Sequence, residues 1–416
     1  MIRRMQLVLA TASVAVLASS LAAQSIRGSW AGAVYGFGTP QLITITFDST
    51  ESGWAGRVSA PAFRRDSTSF DSVRVRGDSL IMAATIESHA VMFRVALAVD
   101  RHRIDGQVIA DKADVGVIRL GRAGSSLATG LQADARKLMG PSTEPAAPPH
   151  ADPDSALLVT NDVALFWAAV DHAKPDSLEV ALQHDYLDKA SVGVRDFIPG
   201  RILSAPDLAR QFRVSRERYE ASRTSSSRVT EATPAIRAAF RQLKTLYPAA
   251  VFPDVYFVIG RFNSGGTSSS HGLLIGAEMY SDPGKLPAIV SHELIHFQQP
   301  PHPRPTLLTQ SFIEGAADFV GLMISGASIN SDRYQYGMAH EHELWIEFEQ
   351  RMHGTDVSGW LYGKPPGERP ADLGYFIGYR IASAYYAKAG DKTRALAEII
   401  GVTDVDALLV ASGYSP

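Results

Sequence analysis

The spacing of apolar residues changes part-way along the chain, and this change is the strongest constraint on the fold. Across residues 26–122, apolar and polar residues alternate. In the run QLITITFD, for example, Ile43, Ile45 and Phe47 are separated by polar residues. A period of two puts alternate side chains on opposite faces of a strand. Short runs of this kind predict an antiparallel β-barrel or sandwich.

Two further features mark this β-rich segment. The pair Asp105-Gly106 is a turn signal within it. Its opening pattern GSWxG, formed by Gly28, Ser29, Trp30 and Gly32, resembles that of small lipocalin-like β-domains that precede some bacterial exported hydrolases. The resemblance implies either a ligand-binding barrel or a spacer domain, and both interpretations stay open.

The N-terminus has the pattern of a secretory signal peptide. Arg3 and Arg4 are followed by an apolar run from Leu7 to Leu17 and then by small residues. We expect residues 1–24 to be a signal peptide and the protein to be exported, either to the periplasm or out of the cell. The apolar run is short for a membrane span of about 20 residues.

Composition narrows the class of protein further. The formal net charge is −3, which gives no indication of a nucleic-acid partner. The chain has no cysteine, so disulfides, thiolate metal sites and a lipid-modified cysteine are excluded. After the signal, no stretch is predicted to span a membrane.

A proline-rich linker is predicted over residues 123–156, because the stretch Met139–Ser155 holds five of the 23 prolines. From residue 157 to residue 416 the pattern becomes mixed. Two strands are expected in DVYFVIGRF and GLLIGAEMY, followed by a helix with histidines, a second helix from about Leu307 to Ile324, and mostly helix thereafter. The predicted fold class is therefore multidomain, with a lipocalin-like barrel or sandwich before a mostly helical, zincin-like α+β domain.

The motif HELIH, from His292 to His296, carries the strongest chemical signal. Residues four apart on a helix lie about 40° apart around the axis and about 6 Å apart along it, so both imidazoles can reach one metal ion. Glu293 is rotated by about 100° and can instead take a proton from a metal-bound water. The motif predicts a zinc site with Glu293 as general base. The alternative is a solvated helix with incidental histidines.

Two residues compete to be the third zinc ligand. His302 has the spacing of the metzincin pattern HExxHxxGxxH, but Gln299 replaces the glycine that reverses the chain, and the prolines that follow favour an extended backbone. Glu314 lies 18 residues after the second motif histidine. On a second helix packed against the first, Glu314 would face the ion, and Asp318 would accept a hydrogen bond from the other ring nitrogen of His292. We favour Glu314 over His302.

The run HELIH followed by EGAAD resembles the gluzincin active site of thermolysin-like and related metallopeptidases. The resemblance implies that His292, His296 and Glu314 bind zinc, that Glu293 is the base, and that Asp318 supports a ligand from the outer shell. Several segments of residues 157–416 also resemble a bacterial family of zinc-dependent proteases related to gliding-motility lipoproteins. These segments are FPDVYFVIGRFNSGGT, GLLIGAEMY, SHELIHFQQ, IEGAADF and DLGYFIGYRIA. The lipid-attachment cysteine of those lipoproteins is missing here, and the resemblance brings no substrate.

Some residues are candidates for stabilising the charge that develops on a substrate oxygen. They are Tyr375, Tyr379, Arg380, His271 and His340. For the first three we favour packing within an apolar helix, for His340 a place on a surface helix, and for His271 a place in a loop. The sequence does not choose among them.

Together these features predict an exported zinc metallopeptidase that hydrolyses a peptide or protein substrate. We expect the strand in GLLIGAEMY, just before the metal helix, to be the edge strand that pairs with an extended substrate. Two alternatives stay open. In the first alternative, the chain is a non-proteolytic zincin-fold envelope or binding protein. In the second, it is a small-ligand carrier that works through its N-terminal β-domain.

Overall fold

The computed structural model describes residues 26–416 except 37–39, 52, 61–64, 77, 87–88, 98–101, 111–112, 140–145, 303–304 and 364–367. The predicted signal peptide, residues 1–24, lies outside the described residues. The chain divides into two compact units. The first extends to Thr143 and includes Pro199–Leu203, and the second comprises Glu144–Ile198 and Ser204–Pro416. As predicted, an antiparallel β-barrel comes first and a mostly helical region with a small sheet follows.

The first unit is a closed antiparallel barrel. Its strands are β1 (Gly28–Tyr35), β2 (Gln41–Thr50), β3 (Gly53–Ala60), β4 (Arg65–Ser69), β5 (Ser72–Arg76), β6 (Ser79–Ile86), β7 (His89–Leu97), β8 (Arg103–Ala110) and β9 (Ala113–Arg122). The strand order is β2-β1-β9-β8-β7-β6-β5-β3-β4, and a further pairing of β2 with β3 closes the ring. Closure leaves β4 paired outside the ring.

The alternation read from the sequence matches the barrel interior. In β2, Ile43, Ile45 and Phe47 are buried and the residues between them are partly exposed. The prediction of a turn at Asp105-Gly106 is wrong, because both residues lie inside β8. A Cβ atom at Gly106 would lie 2.1 Å from the carbonyl oxygen of Arg94, so this glycine permits close strand packing and does not mark a turn.

The predicted linker contains a helix, α1 (Ser126–Met139), which packs on β1 and β9. The Ser125 hydroxyl accepts a hydrogen bond from the Ala128 amide near its start. All five prolines that suggested an extended spacer lie after this helix, so they give no information about residues 126–139. Further on, His150 forms an antiparallel bridge with Phe252, and both residues belong to the second unit. Most of the described part of residues 123–156 is therefore ordered structure.

The second unit has a four-stranded sheet. Its strands are β10 (Leu158–Val159), β11 (Asp254–Val258), β12 (Gly266–Ser269) and β13 (Gly272–Gly276), in the order β10-β11-β13-β12. The expectation that GLLIGAEMY forms an edge strand is wrong, because β13 lies between β11 and β12. The antiparallel strand β12 is at the edge instead.

Helices form the rest of this unit. They are α2 (Asn161–His172), α3 (Leu178–Ala181), α4 (Val192–Phe197), α5 (Ala205–Val214), α6 (Arg216–Ser226), α7 (Val229–Leu246), α8 (Leu286–Gln298), α9 (Leu307–Ser325), α10 (Ser331–Ala339), α11 (Glu341–Glu349), α12 (Leu373–Lys388), α13 (Lys392–Ile400) and α14 (Val405–Ser412). A π-helical segment, Leu182–Leu187, and several short 3-10 turns complete this unit, and a second π-helical segment, Ile198–Ile202, lies almost entirely in the stretch assigned to the first unit.

The packing of α8, α9 and α12 positions the candidate site. Gly315 lies against the backbone of α12, where a Cβ atom would meet the Tyr379 amide nitrogen at 2.1 Å. Gly321 lies against the backbone of α8, where a Cβ atom would be 3.3 Å from the His292 amide nitrogen. Small residues on two faces therefore bring α9 close to both neighbours.

Helix α9 also has the length and apolar composition of a membrane span, contrary to the expectation that no such stretch follows the signal. Of its 18-residue window, 72% is buried inside the structure. A core helix passes the same test of length and composition.

Candidate metal centre

The two motif histidines lie on α8 and direct their rings at one point. Pro287 occupies the first turn of this helix, where its missing N–H has no intrahelical partner. The Nε2 atoms of His292 and His296 are 2.9 Å apart. The ring centroids are 4.5 Å apart and the rings are nearly perpendicular. The spacing of four residues thus brings the two nitrogens together as helical geometry requires.

Glu314 on α9 provides the third atom of the cluster. Its Oε2 atom lies 3.2 Å from His296 Nε2 and 3.4 Å from His292 Nε2. His292 and Glu314 are buried, and His296 is partly exposed. Among the described residues, these three side chains form the one group of histidines and carboxylates found close enough together to hold a metal ion.

The second ring nitrogen of each histidine has its own acceptor. His292 Nδ1 lies 2.7 Å from Asp318 Oδ1, and His296 Nδ1 lies 2.7 Å from Gln299 Oε1. The Gln299 amide nitrogen donates to the Ile313 carbonyl, so the amide oxygen faces the histidine. Both Nδ1 atoms are therefore hydrogen-bond donors. This tautomer leaves a lone pair on each Nε2, directed at the other and at Glu314.

Asp318 is itself held by two donors. Asn330 Nδ2 donates to Asp318 Oδ2 over 2.6 Å, and the Tyr334 hydroxyl donates to the same oxygen. Burial alone would raise the pKa of the Asp318 carboxyl, but the hydrogen bond and charge of His292, with those of Tyr334 and Asn330, lower it. Asp318 thus stays ionised and orients the His292 ring.

The neighbours of Glu314 and His292 shift the pKa values of these two residues in opposite directions. Burial would raise the pKa of Glu314, but the adjacent His292 and His296 hold it well below its usual value. Burial would lower the pKa of His292, but hydrogen bonds to Asp318 and Glu314 hold it well above its usual value. In both residues the partners favour the charged form over the effect of desolvation, and a cation bound at the cluster would take the place of the proton on His292.

The donor set and spacing fit zinc. Two neutral imidazole nitrogens and one carboxylate oxygen are the ligands that zinc takes in catalytic sites. A tetrahedral ion with bonds of about 2.0–2.1 Å separates its ligand atoms by about 3.3 Å. The three separations here are 2.9, 3.2 and 3.4 Å. The converging lone pairs therefore have the geometry of zinc ligands.

Glu293, next to His292 on α8, is directed toward the edge strand β12. A Cβ atom placed on Gly266 would lie only 2.4 Å from Glu293 Oε1. The absence of a side chain at Gly266 therefore leaves the room that the Glu293 carboxylate occupies. This places a carboxylate between the metal helix and the edge of the sheet.

His302, the competing ligand, lies outside the metal-capable group. The helix ends as predicted, because Gln299 caps α8 with an extended backbone (φ −71°, ψ 143°). His302 itself is partly buried, in the segment that leaves the helix.

Of the residues considered for oxyanion stabilisation, Tyr375 alone is next to a member of the metal cluster in the described structure. Its ring stacks on His292 with centroids 6.1 Å apart. The others have partners elsewhere. Tyr379 packs on Tyr334, Arg380 pairs with Glu341, His271 pairs with Asp196, and His340 stacks on Tyr336.

Two contributors to the site have no clear signal in the sequence. Tyr362 donates a hydrogen bond to Glu314 Oε1 over 2.7 Å, although 48 residues separate the two in the chain. Gln299 was considered only as a replacement for glycine, but it orients His296. Its position three residues after His296, one helical turn away, is the one signal that pointed to this contact.

Comparisons with known proteins gave a structural match and a family match. The chain matches none of the curated proteins. One solved structure that matches is a mutant of the fluorescent protein UnaG, with 13% identity and a TM-score of 0.20, covering 25% of this chain and 99% of that one. Residues 260–401 match a family model described as "Predicted Zn-dependent protease (DUF2268)". That region contains the metal-capable cluster, which is consistent with a zinc protease family.

Proposed function

We propose that this chain is an exported zinc metallopeptidase of the gluzincin type, with His292, His296 and Glu314 as metal ligands. The convergence of two imidazole lone pairs and one carboxylate oxygen within 3.4 Å carries the proposal. The match of residues 260–401 to a predicted zinc-dependent protease family supports it. Export rests on the signal-like N-terminus, and the mass of the mature protein recovered from a culture tests that part.

When bound, zinc would polarise the scissile carbonyl and lower the pKa of a water molecule at its open position. The protein supplies the base. Glu293 follows His292 on the same helix, so its carboxylate shares the rigid frame of the ligands and lies against Gly266. Glu293 takes a proton from the attacking water and delivers it to the leaving amine, which leaves as a neutral group.

The substrate path follows from the position of β12. This strand pairs with β13 on one side, and among the described strands none pairs with its other side. An extended peptide that adds to this edge would place its backbone beside Gly266 and so beside Glu293. We therefore assign the role expected of GLLIGAEMY to the residues just before it, Gly266–Ser269.

The substitution Glu293→Gln tests the chemistry. Hydrolysis of a mixed peptide library, measured by mass spectrometry with zinc and again with a chelator, should fall about 10²- to 10⁴-fold in the variant. Its zinc content should equal that of the wild type, because Glu293 is not a ligand. Glu343→Gln, on the exposed face of α11, is the matched control and should keep full activity.

Two results would contradict this proposal in different ways. Undiminished hydrolysis by Glu293→Gln would remove the base assignment. A wild-type protein that binds zinc but cleaves no peptide in the library would favour the non-proteolytic, partner-binding alternative.

A further inference from the structure

The two oxygens of Glu314 face different partners. Oε2 faces the imidazoles of His292 and His296, at 3.4 and 3.2 Å. Oε1 accepts a hydrogen bond of 2.7 Å from the hydroxyl of Tyr362. One oxygen is thus directed at the metal position, and the other is held away from it.

The direction of the Tyr362 hydrogen bond is defined by a third residue. Gln310, one helical turn before Glu314 on α9, donates its amide Nε2 to the Tyr362 oxygen over 2.5 Å. An amide NH₂ group can only donate, so the phenol proton points to Glu314.

The backbone at Tyr362 is in an unusual conformation. Its φ is 61°, in the left-handed region that residues other than glycine rarely occupy. The residue is 56% exposed, so burial of the ring does not explain this conformation. Strained residues of this kind concentrate at functional sites, where the surrounding structure holds them.

An anchor for this segment lies at the start of α12. Asp372 Oδ1 accepts a hydrogen bond from the Gly363 amide at 3.2 Å, and its other oxygen pairs with Arg333 at 3.2 Å. Arg333 lies over the ring of Tyr375, which stacks on His292. The loop that carries Tyr362 is therefore tied to the same side chains that surround the metal cluster.

We propose that Tyr362 is a positioning residue that restricts Glu314 to binding the metal through one oxygen. The proposal rests on the function proposed above, since it needs a metal at the cluster. Without the phenol, Oε1 keeps only the longer contact from Gln310 at 3.5 Å, and the remaining hydrogen bond of the carboxylate is that of Tyr375, so Oε1 can turn toward the ion and bind it as well. A second carboxylate oxygen would add a fifth ligand and crowd the position of the attacking water.

The test uses the full chain with Tyr362→Phe, which removes one oxygen and keeps the ring. Zinc affinity is measured by competition with a chelator, and coordination number by the visible absorption of the protein loaded with Co²⁺. We expect zinc to bind about tenfold more weakly. The cobalt bands should lose intensity, because five-coordinate cobalt absorbs less strongly than four-coordinate cobalt.

Tyr385→Phe is the matched control, because Tyr385 also donates to a carboxylate, Glu398, away from the cluster. It should leave both measurements unchanged. Tyr362 is more than half exposed, so circular dichroism of Tyr362→Phe should match that of the wild type.

Three results would overturn the inference. If Tyr362→Phe keeps wild-type affinity and spectrum, Tyr362 does not position Glu314, while zinc binding itself stands. If affinity falls but the cobalt spectrum is unchanged, the hydroxyl does not control how many oxygens bind. If the wild type binds neither Zn²⁺ nor Co²⁺, the proposed function fails and the inference fails with it.

Discussion

The two units of this chain bury different kinds of residue. The barrel core is apolar, with Trp30 and Phe47 among its fully buried side chains. Every buried polar or charged residue in the described part of the chain, from Asp162 to Ser412, belongs to the second unit. Because burying a polar group without a partner destabilises a fold, the second unit has to supply hydrogen-bond partners that the barrel core does not need.

Within the second unit, the buried polar residues serve different purposes. His292, Glu314 and Asp318 form the network around the metal-capable cluster. Glu278 instead holds a loop, because its Oε1 atom accepts hydrogen bonds from the amides of Gly260 and Phe262. The metal-capable cluster therefore belongs to the helical unit.

Of the substitutions that test the difference between the two units, Gly266→Ala should have the largest effect on peptide hydrolysis. The added methyl group would lie 2.4 Å from Glu293 Oε1 and would displace the carboxylate. We expect peptide hydrolysis to fall about 10- to 100-fold, since small misplacements of reacting groups slow catalysis strongly. Zinc content should not change. Gly390→Ala is the matched control, because nothing lies within 4 Å of a Cβ atom there. Equal rates for the two variants would show that Glu293 does not act from this position.

The substitution Glu278→Gln should change the pH dependence of stability. Burial raises the pKa of Glu278 from 4.5 to about 7, against the opposing effect of its backbone hydrogen bonds. The folded state therefore binds the proton more tightly than the unfolded state. This contribution to stability is present below pH 4.5 and is lost as the pH rises through about 7.

For wild type, the loss from this one group is up to about 3 kcal/mol. Glu278→Gln cannot ionise, so urea unfolding at pH 5 and pH 8 should show a smaller difference for the variant. Glu343→Gln, an exposed change, should keep the wild-type difference. An identical difference in all three proteins would mean that Glu278 does not ionise over this range.

The substitution Phe47→Ala should have the smallest effect on the site. Phe47 is fully buried in the barrel core, and truncation of such a residue costs about 3–5 kcal/mol. Calorimetry should show a destabilised barrel transition, while zinc content and hydrolysis per molecule stay at wild-type levels. If the folded variant loses its zinc, zinc binding by the second unit depends on the barrel core, and the two units do not function independently.

Local patterns predicted much of the fold. Alternation revealed the buried face of β2, and helical spacing brought the two histidines of α8 together. The turn predicted at Asp105-Gly106 failed, because the glycine there is required by the approach of a neighbouring strand that a local pattern does not reveal. The edge strand was misassigned for a similar reason, since the strand order depends on tertiary pairing.

The site shows the same division between local and long-range information. The structure brings Glu314 and Asp318 to the two histidines, as the offset along the sequence predicts, and their roles remain predictions. Tyr362 could not be anticipated. Its contact with Glu314 depends on a left-handed backbone at Tyr362 and on an anchor at Asp372, neither of which has a short-range signature.

Zinc content by mass spectrometry, for the wild type beside Glu314→Ala and His302→Ala, tests the central claim most directly. The account predicts one zinc per chain in the wild type and in His302→Ala, and little or none in Glu314→Ala, because Glu314 is the third ligand. A wild type without zinc, or a Glu314→Ala protein that keeps its zinc while His302→Ala loses it, would contradict the account.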